Sequence, residues 1–151
     1  YDSMTVRENL EFPLRRHISK FGNVKDTLPL VEEALQNVGL KNVIDLMPNE
    51  LSGGMKRRVA LARTLILKPK IIIYDEPTTG LDPITSKEII LLMKSVQEKY
   101  KTSSIIITHD VDCARVIANR MILLIDGKNY AEGTFAELST SQDPKVKAFF
   151  K

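Results

Sequence analysis

The sequence predicts an α/β fold, a helical lobe followed by a parallel sheet. Three observations predict it. The first 68 residues place apolar side chains at helical spacing, interrupted by Pro and Gly. From residue 70 onward, short runs of Ile and Leu alternate with helical patterns, as in parallel strands joined by helical crossovers. Between these regimes, Leu51 to Asp82 holds a Gly-rich turn entering a helix, then an apolar strand closed by two carboxylates. The expected division is residues 1–68 and residues 69–151.

Thr5-Val6-Arg7-Glu8 matches a capping box. It opens a helix from Val6 to Arg16 with Leu10, Leu14 and Ile18 on one side, and Pro13 inside it is expected to kink it. Phe21-Gly22-Asn23 reads as a turn. A second helix is expected from Lys25 to Val38, with Pro29 in its first turn and Gly39 just past its end. Leu40 to Glu50 reads as a linker holding Pro48. A third helix should run from Gly53 to about Leu67 and stop before Pro69.

The period then changes. Lys70 to Asp75 reads as a buried strand and Ile84 to Lys99 as a long helix, with Ile89, Leu92, Met93 and Val96 facing inward. Ser103 to Thr108 is a second apolar strand. Asp110 to Ala118 is expected as a helix and Arg120 to Asp126 as a strand. Gly127 makes a turn into a short strand, Asn129 to Gly133. Thr134-Phe135-Ala136-Glu137 opens a small helix, and Asp143 to Lys151 forms the last one. Such alternation implies a parallel sheet covered on both faces.

The 151 residues are 43% hydrophobic and 27% charged, which is ordinary for one globular unit with a core. No apolar run approaches the length of a membrane span, and the start lacks a secretory signal pattern. Tyr1 is not an initiator Met, so residues upstream are expected. The single Cys113 excludes an internal disulfide and suits a reducing compartment. A net charge of +3 is too mild to argue for nucleic acid. It fits a protein beside an anionic membrane. His17 and His109 are too few for a His-rich metal site, and His17 reads as a surface residue.

The chemistry concentrates in a few positions. Ser52-Gly53-Gly54 precedes a helix whose first amides lack intrahelical partners and carry partial positive charge, a ready site for a terminal phosphate. Asp75 and Glu76 are adjacent at a strand end, so their side chains point apart and take different roles. One can orient the water shell of Mg²⁺; the other can polarise an attacking water. Gly80 allows an unusual backbone angle, and Asp82 before Pro83 can cap the next helix. His109 closes the Ile105-Ile106-Ile107-Thr108 run, at the end of a parallel strand where ligands of open α/β sheets bind. Lys56-Arg57-Arg58 reads as a solvated helix face, since no aromatics interleave with it. Arg63 is expected to tie its helix to the surroundings.

Taken together, LSGGM at 51–55, DEPTTGLDP at 75–83 and ITHD at 107–110 resemble the signature motif, the Walker B strand with its D-loop, and the switch histidine of ABC-type ATPases. The resemblance covers nearly the whole chain. It implies the second half of a RecA-like P-loop NTPase core behind a helical signature subdomain. It implies that Asp75 serves Mg²⁺, that Glu76 is the catalytic base and that His109 contacts the γ-phosphate of ATP. Ser52, Gly53, Gly54 and Asp82 would meet the nucleotide held by a second copy, in a homodimer. Met55 departs from the family's usual glutamine. No G-x-x-x-x-G-K-[ST] occurs in these residues, so the isolated chain is expected to be inactive.

LSGGM with its basic run, GLDPIT and the ending Asp143 to Phe150 resemble the ATPases of Mce/Mla-type phospholipid systems. That implies membrane permease partners and a peripheral place on the cytoplasmic face of an inner membrane. The alternatives are a small-solute importer ATPase and a translation- or DNA-associated ABC protein. The absence of long heptad arms weighs against the DNA-associated reading.

Overall fold

The computed structural model of the chain describes residues 1–17 and 26–150. The expected turn at 21–23, Ile18, Lys25 and Lys151 lie outside these residues.

Helix α1, Val6–Arg16, starts at the expected capping box. The Thr5 hydroxyl accepts from the Glu8 amide, and the Glu8 carboxylate accepts from the Thr5 amide at 2.8 Å. The next free amides, of Val6 and Arg7, donate to the carbonyls of Leu46 and Ile44, both at 2.9 Å. The linker therefore satisfies a helix end that would otherwise be unpaired.

Helix α2, Leu28–Asn37, carries Pro29 in its first turn. It starts where the Asp26 carboxylate accepts the Leu28 amide at 3.0 Å. Gly39 follows it at φ 71, a left-handed position suited to glycine. Thr27 makes no cap, because its hydroxyl donates to Glu11 at 2.7 Å. Glu11 is only 4% exposed, and it also accepts from Arg7 at 2.8 Å and Arg15 at 2.7 Å. One carboxylate thus ties α1 to the start of α2. Burial alone would raise its pKa; the bonds from Arg7, Thr27 and Arg15 outweigh burial and hold it below the ordinary value.

A 3₁₀ turn at Pro48–Glu50 leads into α3, Gly53–Leu65. This helix ends slightly before the expected Leu67, in a turn where Lys68 takes a positive φ of 50. Strand β1, Ile71–Asp75, then crosses through α4, Pro83–Tyr100, to β2, Ser103–Ile107. The two strands pair in parallel from Ile71 opposite Ser103 to Asp75 opposite Ile107. Helix α5, Val111–Ile117, leads to β3, Met121–Ile125, and β4, Lys128–Gly133. Asp126 and Gly127, at φ 51 and 72, make the tight turn between them. The small helices α6, Phe135–Ser139, and α7, Pro144–Lys147, close the described chain with a 3₁₀ turn at Ala148–Phe150.

Two expectations about the sheet need correction. The parallel pairing joins only β1 and β2; β3 pairs antiparallel with β4, as a separate two-stranded sheet among the described residues. Nor are the strands buried on both faces. Ile72 is 3% exposed, whereas Ile71 and Ile73 are 60% and 64% exposed. Ile105, Ile107, Ile122 and Leu124 are exposed as well. Side chains alternate across a strand, and here only one face meets helices.

Buried side chains from α1, α2, α3 and the linker pack in one cluster that also takes in Ile72 of β1 and Val96 of α4. The apolar core therefore runs on across residue 68. A second cluster gathers Ile89, Ile90 and Met93 of α4 with Cys113 and Ile117 of α5. Tyr74 touches both clusters, and burial pushes its phenol up to about 12. A third, smaller cluster of Leu123, Leu138 and Val146 seats the hairpin on α6 and α7.

The Glu11 tie has a pH signature. A carboxyl held below its ordinary value of 4.5 contributes its full stability above that pH and loses it as pH falls through the lower folded value. Glu11→Gln should flatten the acid limb of the stability profile, measured by urea unfolding from about pH 3 to 7. A mutant limb as steep as the parent's would contradict this role for Glu11.

Candidate functional site

The parallel register delivers the acid pair and the histidine to one end of the sheet. Asp75 ends β1 opposite Ile107. The ladder continues one bond further, with the Glu76 amide donating to the Ile107 carbonyl at 2.9 Å. There the backbone leaves the strand, because Glu76 takes φ 45. Glu76 thus lies just past the end of the strand, in a left-handed turn of its own. Such a conformation is uncommon outside glycine and marks local strain.

The side chain that leaves this backbone is bonded on both carboxylate oxygens. Glu76 Oε1 lies 2.9 Å from His109 Nδ1, and Oε2 accepts from the Thr79 hydroxyl at 3.0 Å. His109 raises its pKa through this bond to Glu76, and Glu76 lowers its own chiefly through the bond to His109. The Thr78 hydroxyl donates to Asp110 at 3.0 Å, and the other oxygen of Asp110 caps α5 at the Cys113 amide. Cys113 itself is buried, and burial pushes its thiol up to about 11. It is an inert core residue. The loop after β1 is thus stitched twice to the loop after β2.

The other expected residues assemble at the start of α3. The Ser52 hydroxyl caps the helix by accepting from the Met55 amide at 3.2 Å, and the Met55 side chain packs on the core. Asp82 caps α4, accepting from the amides of Ile84 and Thr85, each at 3.0 Å. The two caps are packed together. A Cβ on Gly54 would lie 2.6 Å from the Thr85 methyl, and one on Gly53 would lie 3.3 Å from Leu81. Both glycines therefore serve helix packing as well as any approach of an anion. Gly80 turns the loop at φ 79.

The basic run is not a solvated face throughout. Arg58 donates to the Val38 carbonyl at 3.0 Å and pairs with Glu88 at 2.9 Å. Arg57 donates to the Thr79 carbonyl at 3.1 Å. Lys56 is exposed, as is His17, which takes no part in the site. Arg63 does tie its helix down, donating to Asn9 at 3.3 Å beside the ring of Tyr1. Sequence reasoning missed Thr78, Thr79 and Arg57. The only signal was the Thr pair beside the acid pair, which has no periodicity of its own.

A cleft of about 660 Å³ opens between the loop 78–83, α4 and α5, lined in part by Gly80, Pro83, Lys87, His109 and Arg115. Among the described residues no group of three or more His, Cys, Asp or Glu side chains gathers to hold a metal. The lone exposed Asp75 fits a cation that draws its remaining ligands from phosphate and water, as Mg²⁺ does.

A parallel strand pair joined by a helical crossover, with an acid pair at the end of one strand and a histidine beyond the next, gathers its polar groups where ligands of open α/β sheets bind. Comparison with known proteins agrees. The family model described as ABC transporter matches residues 1–79. The intermembrane phospholipid transport ATP-binding protein MlaF of Haemophilus influenzae is 40% identical over 151 residues, 100% of this chain and 56% of its own length. The chloroplastic protein TRIGALACTOSYLDIACYLGLYCEROL 3 of Arabidopsis thaliana is 38% identical over 99% of this chain and 47% of its own. The methionine import ATP-binding protein MetN of Campylobacter jejuni is 35% identical over 95% and 46%. A solved ATP-binding cassette, a dimer in a post-hydrolysis state bound to ADP and phosphate, matches with a TM-score of 0.75 and 34% identity, over 89% of this chain and 58% of its own. The chain belongs to the ABC transporter family. It spans about half the length of the curated relatives it matches.

Two measurements check this geometry. The His109 ring should titrate above 6.5 by NMR, and Glu76→Gln should bring it back toward that value. An unchanged midpoint would break the proposed pairing. Gly54→Ala should lower stability by about 1–3 kcal/mol through overpacking on Thr85, read as a drop in Tm that Thr85→Ser relieves. Equal Tm for parent and Gly54→Ala would contradict the close packing.

Proposed function

We propose that the complete protein carrying this chain binds MgATP, pairs with a second copy around two nucleotides, and hydrolyses them to move phospholipid between membranes. The observation that carries the hydrolytic reading is the 2.9 Å contact between Glu76 and His109 at the end of the parallel strands. A carboxylate facing a histidine there can accept a proton from an attacking water. In this reading Asp75 orients the water shell of Mg²⁺, which supplies charge neutralisation when bound. Glu76 polarises the water, and His109 faces the γ-phosphate.

Ser52, Gly53, Gly54 and Asp82 would meet the nucleotide held by the partner copy. The joint packing of the two caps through Gly54 and Thr85 supports that grouping. Residues 1–68 would act as a helical signature subdomain and residues 69–151 as the Walker B half of the core. The segment around Ser3 to Arg16 would face a membrane permease. The protein would then sit peripherally on the cytoplasmic face of an inner membrane. No helix among the described residues is long and apolar enough to cross a membrane.

The phosphate-gripping loop that these residues lack would come from the remaining length of the complete protein. The isolated chain should therefore neither hold ATP tightly nor turn it over. The exposed Ile face of β1 and β2 supports the same view, since parallel sheets of this class are covered on both faces. Phospholipid as cargo is supported by the MlaF relative. Small-solute import is a second reading, supported by the methionine import relative.

In the complete protein, Glu76→Gln should cut ATP turnover by roughly 10²- to 10⁴-fold while leaving ATP binding intact. Steady-state hydrolysis and nucleotide binding measured on the same preparation test this. Undiminished turnover would refute Glu76 as the base.

A further inference from the structure

The contacts around Glu76 extend beyond the acid and the histidine. Its carboxylate is held from both sides, by His109 on Oε1 and by the Thr79 hydroxyl on Oε2. Thr79 is itself anchored, since its carbonyl accepts from Arg57 of α3 at 3.1 Å. Arg57 lies one turn beyond Gly53 and Gly54. A continuous chain of polar contacts therefore runs from the second turn of α3, through the backbone and side chain of Thr79, to Glu76. It does so across the one non-glycine position of the site loop with a left-handed backbone.

We propose that Thr79 is the positioning residue for Glu76. Its hydroxyl fixes one carboxylate oxygen, so that the other points along the line to His109, and Arg57 keeps Thr79 in register with α3. The proposal rests on the reading of Glu76 as the catalytic base. Without the hydroxyl, the Glu76 carboxylate keeps only the His109 contact and can pivot about it. A base displaced by about 1 Å can lose roughly 10²-fold in rate. Thr79 is exposed and the contact is to a side chain, so its role is in orientation more than in holding the fold. The link to Arg57 adds a consequence: a shift of the α3 start, where the partner's nucleotide is proposed to bind, is transmitted to the base of the same chain.

The test is steady-state ATP hydrolysis by the complete protein. Thr79→Val keeps the shape and removes the donor; Thr79→Ser keeps the donor. Thr79→Val should lower kcat by about tenfold or more with the KM for ATP within about twofold, and Thr79→Ser should restore most of kcat. Arg57→Ala should lower kcat in the same direction by a smaller factor. If Thr79→Val fails to fold, judged by its thermal midpoint, Thr79→Ala carries the same comparison. Parent-like kcat in Thr79→Val beside an inactive Glu76→Gln overturns the positioning role and leaves the base reading standing. A loss that Thr79→Ser does not restore, or that falls equally on kcat and KM, also overturns it. Parent-like turnover in Glu76→Gln overturns both readings.

Discussion

The parallel register of β1 on β2 sets Asp75 opposite Ile107, and the Glu76 amide extends that ladder by one more bond to the same carbonyl. Everything at the site follows from that bond. It holds the chain in line until the last possible residue, then forces the turn to be made at Glu76 itself. The left-handed backbone that results sits between two loops that bond to its side chain. Those loops are tied through Thr79 and His109 on Glu76 and through Thr78 on Asp110. Register, strain and side-chain bonds therefore form one unit, and none of them positions the acid without the others.

The helical residues support this unit from behind. Ile72, the buried side chain of β1, sits in the same apolar cluster as the cores of α1, α2 and α3. Tyr74 links that cluster to the one under α4 and α5. Movement of α1, α2 or α3 would be felt at the strand through these contacts, because packed interiors transmit displacement instead of absorbing it. Arg57 and Arg58 add polar ties from α3 to the loop after β1, to the end of α2 and to α4.

Much of this was legible in the sequence where a local rule has a residue signature. The capping box at Thr5, the helix start at Thr134, the caps at Ser52 and Asp82, and the left-handed glycines at 39 and 80 all stand where the residue types put them. The acid pair and His109 were found because each ends an apolar run. The strand faces were not legible. A run such as Ile71-Ile72-Ile73 has no polar alternation, so it reads as buried on both sides, and only the structure reveals which face meets helices. The Arg ties were hidden for another reason: a guanidinium that reaches a carbonyl twenty or more positions away leaves no pattern near itself. The Glu11 tie went unread although Arg7 and Arg15 flank it at helical spacing, and its Thr27 arm is long-range.

The uncovered isoleucines have a practical meaning. Ile71, Ile73, Ile105 and Ile107 form a greasy plateau beside strands whose outer backbone groups remain available for pairing. The register puts the exposed Asp75 carboxylate at one end of that plateau, and Lys70 precedes it at the other, so charge borders the apolar strip only at its ends. A polypeptide of these 151 residues, handled alone, therefore keeps in water an apolar strip of the kind that buried sheets hide under a further layer.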